Sequence, residues 1–401
     1  MANTLLSSTQ VTRKALMILH QKLNFVGSIN RSYDDSFAKD GAKVGDTLKI
    51  RLPNQYTTRS GAVMPANPDT SESSISLQVA TQKGVDVNFS STELSLSLDD
   101  FSDRVLDPAM SQLAASIEND ALSMYKDVYQ SIWNGTQAAT YNQALDGRIL
   151  LQRALTPTDN RTALYNSADM AQVVKDTKTL FQDSTSIAKQ YREGYMGRAA
   201  GFDWAENTLL PAHTRGAANT GYTTNTQVGT LATDGTVYSA ITVASGTGTM
   251  NKGDVFTIAN VFSVHPETRQ STGVLQQFVV AADFAGGAGS VSISPSIILG
   301  GARQTCVIPS TLATAAITFL GSASIAVGTS LLYQKGAFAF ATADLVMPKG
   351  VDFAAREVLD GVSMRIVRQY DIVNDKFPCR IDVLYGYKTI RPQLAARLHN
   401  N

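Results

Sequence analysis

Two hydrophobic rhythms alternate along this chain. Near the start, Val11, Ala15, Leu16, Leu19 and Leu23 recur at three- and four-residue steps, which predicts a helix over 9–24. The pattern favours packing on its own domain over an arm that docks on a neighbour. Period two then takes over. Leu48, Ile50 and Leu52 alternate after a Gly45-Asp46 turn, and Pro53 ends the run because it cannot donate to a sheet ladder. Ile75, Leu77 and Val79 alternate again, and Val85, Val87 and Phe89 continue. Two strands joined by a polar tip of roughly 20 residues read as a long β-hairpin, with no partner for it evident within the chain.

Helical spacing returns at Asp107-Pro108, a good cap followed by a good first-turn residue. Met110, Leu113, Ala114, Ile117, Ala121, Met124, Tyr125, Val128 and Ile132 follow, and Asn134-Gly135 closes the pattern. This predicts one helix over 107–133, roughly 40 Å long at about 1.5 Å per residue. A second helix is expected from a Ser167 cap through Met170, Val173, Val174, Thr177 and Leu180. The region 345–398 reads as short strands, VSMRIVRQYDIV and CRIDVLYGYKTI, ended by Arg391-Pro392.

Charge changes this picture in one place. Of the chain's 34 Lys and Arg and 34 Asp and Glu, only Asp234, Lys252, Asp254, Glu267, Arg269, Asp283, Arg303 and Lys335 fall between Gly216 and Phe340. That block is rich in Gly, Ser, Thr, Ala and Val. Val237, Ile241 and Val243, then TMNKGDVFTI, QQFVVAADF and SVSISPSII, read as strands between turns. An all-β insertion, a small barrel or sandwich, is predicted inside a helical and charged body. The likeness of KVGDTLKI to NKGDVFTI is a shared turn-to-strand device and not a repeat.

A length of 401 residues gives two or three domains, and the net charge of zero excludes a dedicated nucleic-acid binder. Cys306 and Cys379 read as free core thiols suited to a reducing compartment. The N-terminus lacks the pattern of a signal peptide. Ser310 to Tyr333 comes nearest to a membrane span but is broken by Ser, Thr and Gly, so buried strand or helix segments are expected. The sequons at Asn88, Asn134 and Asn160 mean little without a secretory route.

Catalytic patterns are missing. His20, His213, His265 and His399 are scattered, without metal spacing, and there is no phosphate loop or nucleophile elbow. GGAGS at 286–290 reads as a turn, and Asp34-Asp35 and Asp99-Asp100 read as solvated loop acids. His213, in LPAHT, could serve as the base of a nucleophile. No partner for it is identifiable, so a loop or interface role is preferred. No catalytic, cofactor-binding or metal-binding residue is expected, and the chain reads as a non-enzyme.

The stretches KVGDTLKIRLP, GYMGRAAGFDWAENTLLPAHTRGAANTG and CRIDVLYGYKTIRPQ, with the helix from Asp107, together resemble the coat proteins of short-tailed double-stranded-DNA bacteriophages, the P-twenty-two-like branch. The resemblance implies an α+β chain with the Hong Kong ninety-seven type capsid fold. It implies an N-terminal arm at 1–35, an extended loop at 36–92 and a peripheral domain at 93–200 with spine helix 107–133. The axial domain and returning peripheral strands would be 201–221 and 332–401, and an inserted β-barrel 222–331. The implied function is a major capsid protein that self-assembles into hexamers and pentamers, closing an icosahedral shell around phage DNA. Its implied partners are its own copies, a separate scaffolding protein, a portal protein and enclosed DNA bound without sequence specificity. No membrane is involved, and assembly is expected in the bacterial host cytoplasm. Crosslinking through Lys43, Lys49 or Lys83 is disfavoured. Candidate assembly residues are Arg51 and Arg59 in the loop and the Asp234-Gly235 turn. Two rivals remain at this point. One is an encapsulin-like shell of the same fold, and the other is a β-rich hydrolase or carbohydrate-binding protein.

Overall fold

A computed structural model describes residues 8–31, 47–58, 61–62, 72–90, 106–135, 137–177, 197–219, 221–225, 231–308, 314–359, 361–374 and 376–400. The chain divides into two compact units. One comprises Met1–Leu52, Ser74–Leu122 and Phe338–Ile390; the other comprises Pro53–Ser73, Ser123–Ala337 and Arg391–Asn401.

In the first unit, helix Ser8–Lys22 turns Ala15, Leu16 and Leu19 inward against helix Asp107–Leu122 and strand Phe353–Leu359. It packs on its own unit, as its spacing favours. A single turn, Phe25–Ser28, follows. Its first amides, of Phe25 and Val26, each donate to the buried Glu118 carboxylate at 3.2 Å, which supplies the acceptors that a helix start lacks. The sheet of this unit is antiparallel. Long strand Lys376–Thr389 pairs with Phe338–Ala343, Val362–Arg368 and Thr81–Ser90, and Phe353–Leu359 extends it beyond Val362–Arg368.

Strands Thr47–Arg51 and Ser74–Gln78 pair antiparallel, with Leu48 opposite Leu77 and Ile50 opposite Ile75. This hairpin has an intrachain partner that the sequence hid. Leu48, Ile50 and Leu77 pack on Ala339, Ala341, Ala343 and Leu384 of the sheet. The small alanines give no strong signal of a docking face, although they are what lets the hairpin approach.

The helix predicted over 107–133 is shorter. It ends at Leu122, a 3-10 turn covers Ser123–Asp127, and Ser131–Trp133 is a strand. Ile117 and Met124 are both buried. Beyond Leu122 the apolar spacing survives, but the backbone is captured by parallel pairing of Ser131–Trp133 with Arg397–His399. The Gln277 side chain adds two further bonds, accepting from the Ser131 amide at 2.8 Å and donating to its carbonyl at 2.9 Å. A partner 146 residues away overrides local helix propensity.

Among the described residues, the second unit holds two sheets. The central one runs Ser131–Trp133, Ala395–Asn400, Ala326–Gln334, Arg161–Tyr165, Phe202–Glu206 and Arg198–Ala199, and Ala212–Thr214 also pairs with Ala326–Gln334. Helix Tyr141–Arg153 covers it, capped by Thr140, whose hydroxyl accepts from the Gln143 amide. Gly147 lets this helix lie close, since a β-carbon there would collide with Leu332. Helix Ser167–Thr177 is capped one residue earlier than predicted. The Asn166 side chain, not Ser167, accepts from the Asp169 amide, at 2.7 Å. Leu180 lies outside the described residues.

In the quiet block every described element from Thr223 to Phe319 is a strand. Its order is Cys306–Val307, Val255–Val264, Ser271–Val280, Gly289–Ile297, Tyr238–Ser245 and Thr223–Thr224, with Ile317–Phe319 also on Val255–Val264. A bridge between Thr223 and Ala316, with the Ile317 amide donating to Tyr222 carbonyl oxygen, closes the ring into a barrel. Alternation puts Ile241, Val243, Phe256, Ile258, Phe278, Val280, Val291 and Ile293 inside. Each such buried side chain contributes about 1.5–3 kcal/mol. The stretch nearest to a membrane span forms strands Ile317–Phe319 and Ala326–Gln334, and no described helix is long and apolar enough to cross a membrane.

Candidate functional site

Arg51 ends the hairpin strand Thr47–Arg51, opposite Ser74, with its side chain exposed. Arg59 lies outside the described residues. Asp234 and Gly235 belong to the other unit, at a turn on the barrel surface. Asp234 Oδ1 accepts from the Thr236 amide at 2.9 Å and its hydroxyl at 2.5 Å, and these bonds hold the carboxyl below its usual range. Gly235 has φ of 92°, a conformation that favours glycine. Lys83 is engaged within its own unit, 2.7 Å from Asp120 and 2.8 Å from Ser116 Oγ.

The strongest polar constellation was not assembled by sequence reasoning. Where the barrel's strands enter and leave, Ala212–Thr214 runs antiparallel to the start of Ala326–Gln334, with His213 opposite Val327. Arg215 ties both sides. Its guanidinium donates to the Ala218 and Gly321 carbonyls and lies 5.1 Å from the Phe319 ring centre.

Beside it, buried Asp254 accepts three bonds. His213 Nε2 lies at 2.9 Å, the Gly216 amide at 3.0 Å and the Asn251 amide at 2.9 Å. His213 Nδ1 meets the Tyr125 hydroxyl at 3.2 Å. From the C-terminal strand, Arg397 Nη2 donates to Gly253 oxygen at 2.8 Å. His399, on the same face of that strand, sits 6.1 Å from the His213 ring and 5.6 Å from Trp133. Burial drives the Arg397 pKa down to about 10 and raises that of Tyr125.

So His213 does have a carboxylate, and an oxygen on its other nitrogen. The order Asp–His–hydroxyl is that of a nucleophile relay, yet Asp254, His213 and Tyr125 are 1%, 6% and 3% exposed, and burial opposes ionisation of the phenol. What this arrangement does is join four segments, 123–127, 212–216, 251–254 and 395–400. The sequence signal was the lone His213 and the Asn-Lys-Gly-Asp turn, with nothing to link them. Among the described residues no group of three or more His, Cys, Asp or Glu is placed to hold a metal ion.

Residues 29–397 match the family described as P22 coat protein, gene protein 5. A comparison with curated proteins found no match. Among solved structures, one from Mycobacterium phage Che8 is 11% identical, covers 94% of this chain and 90% of its own, and has a TM-score of 0.47. The capsid of cyanophage P-SCSP1u is 9% identical over 90% of this chain and 85% of its own, at 0.43. The mature capsid of bacteriophage PhiM1 is 10% identical over 88% and 82%, at 0.42.

The chain belongs to the P22 coat protein family. It is a major capsid protein with the Hong Kong ninety-seven type fold, a structural protein that self-assembles into the shell of the virion. The encapsulin-like and hydrolase readings are not favoured.

Proposed function

We propose that copies of this chain form hexamers and pentamers which close an icosahedral shell around double-stranded DNA. A separate scaffolding protein guides closure, and a portal protein occupies one vertex. DNA is enclosed without sequence-specific contact, consistent with zero net charge. Assembly takes place in the host cytoplasm, and no residue acts as an enzyme's nucleophile, acid or base. The observation that carries this reading is the family match over 29–397. We assign 1–35 to an arm, 36–92 to an extended loop, 93–200 to the peripheral domain, 201–221 with 332–401 to the axial domain and returning peripheral strands, and 222–331 to the inserted barrel, the last residues of which, from Ala326, already pair into the central sheet. Arg51 and Arg59 in the loop and the Asp234-Gly235 turn on the barrel are the proposed contacts between copies. Exposed pairs there are worth about 0–1 kcal/mol each, so the shell is held by the sum of many.

The test is electron microscopy of the purified full-length chain at high concentration, with and without co-expressed scaffolding protein. Closed shells of uniform size with scaffold, and irregular ones without, are expected. A chain that stays monomeric in both conditions would sink the proposal.

A further inference from the structure

At the barrel's base cations outnumber carboxylates. The groups facing one another there come from four segments: Tyr125, Lys126 and Asp127; His213 and Arg215; Lys252 and Asp254; Arg397 and His399. Lys252 and Asp127 pair at 3.4 Å nearer the surface. Beside His213, the buried Asp254 carboxylate spends all three of its bonds on His213 and the 216 and 251 amides. Arg397 is wholly buried, yet of its donors only Nη2 reaches an acceptor, Gly253 oxygen; Nε and Nη1 make no hydrogen bond among the described residues. His399 is buried too, and its Nδ1 has no hydrogen-bond partner among them.

We propose that this node is an acid-sensitive latch: protonating His399 loosens the C-terminal strand's grip on the 251–254 turn and frees the base of the barrel from the central sheet. The physical reason is that a proton on His399 adds a second cation beside Arg397 with no acceptor for Nδ1–H and no spare carboxylate. Repulsion then acts on Arg397, whose hold on the turn is one hydrogen bond. Dry surroundings leave little solvent to screen it.

The direction with pH follows. Burial first, then Arg397 and then His213, hold His399 well below its ordinary pKa of 6.5. A histidine with a depressed folded-state pKa stabilises the fold fully above the unfolded value. That stability drains away as pH falls from 6.5 toward the folded value. The latch is therefore closed at neutral pH and opens in acid.

Hydrogen–deuterium exchange on the full-length chain tests this, expressed as protection factors so that the intrinsic pH dependence of exchange is removed. Between about pH 8 and about pH 5, peptides covering 212–218, 249–255 and 395–400 should lose protection, by up to about tenfold per pH unit at the steepest point. Barrel-core peptides covering 278–280 and 291–293 should hold theirs. H399Q, which cannot take the proton, should abolish the pH dependence. Unchanged protection in the wild type overturns the proposal, and so does an H399Q chain that opens over the same range. Should H399Q fail to fold, NMR titration of the wild-type imidazoles decides: protection should begin to fall near pH 6.5 while the His399 midpoint lies well below it, and a His399 midpoint at the ordinary 6.5 overturns the latch.

Discussion

The core of the inserted barrel buries Ile241, Val243, Phe256, Ile258, Phe278, Val280, Val291 and Ile293, and its buried members include no carboxylate, cation or histidine. The base of the same barrel buries Tyr125, His213, Asp254, Arg397 and His399 together. Both regions are sealed from water, but their side chains ask different things of their neighbours. An apolar side chain is satisfied by any close-packed apolar surface, so the core sets how stable the barrel is. A buried carboxylate or guanidinium is satisfied only by particular groups at particular distances, so the base sets where the barrel sits on its stem. Core residues repeat with period two along each strand, so each strand announces its own inward face. Partners at the base are 41, 88 and 144 residues apart.

The largest effect should come from emptying the core. Phe278 is fully buried and stacked on Phe256 with ring centres 5.9 Å apart. Phe278→Ala should lower the free energy of unfolding by about 3–5 kcal/mol in a urea titration of the monomeric chain. A smaller loss than for the base variant below would break the comparison.

Next comes the base. Asp254→Asn keeps the shape but removes the charge and one acceptor oxygen, and should cost about 2–3 kcal/mol. The sharper readout is coupling. Asp254→Asn combined with His213→Gln should cost clearly less than the two single variants summed, because each single change strands the other's partner. Strict additivity would mean that the pair does not act as a unit.

These two regions also mark what the sequence discloses. The barrel was legible because Ile241 and Val243, or Phe278 and Val280, announce their shared face within three residues. The base was not, since His213 carries no local sign that Asp254 is its acceptor. The same limit explains the helix from Asp107. Its apolar steps are continuous to Ile132, yet Ser131–Trp133 pairs with Arg397–His399, a register no local window contains. Helix Tyr141–Arg153 escaped for another reason. Its buried face is Gln143, Ala144 and Gly147, small or polar residues that raise little hydrophobic signal, with Leu151 as the one large apolar member. Of the candidate contact residues, Asp234-Gly235 was readable as a turn from its residue types alone, whereas contact between copies is a property of the assembly that one chain's sequence does not display.

A smaller effect separates a terminal cap from both regions. Asn166 accepts from the Asp169 amide and donates to Asp169 Oδ2 at 3.0 Å. Buried Asp169 also accepts from Ser330 and Asn400. Asn166→Ala should cost about 1 kcal/mol in thermal unfolding, between the base and the surface. A loss as large as that of Asp254→Asn would show that the Asp169 network, and not the cap alone, depends on this side chain.

The smallest effect on folding should be at Asp234. Its carboxylate is exposed and, among the described residues, bonds locally, to Thr236 two residues on, so neither the apolar core nor the buried base draws on it. Asp234→Ala should therefore leave the urea midpoint unchanged, and Thr236→Ala should do the same. Assembly is where a difference is expected. If the turn touches a neighbouring copy, light scattering at matched concentration should show slower shell formation for Asp234→Ala, with salt slowing the wild type toward the variant as the charge is screened. A lowered midpoint would make Asp234 a folding residue and erase the contrast between surface and interior. An unchanged midpoint with unchanged assembly would make the turn idle and remove it from the contacts between copies.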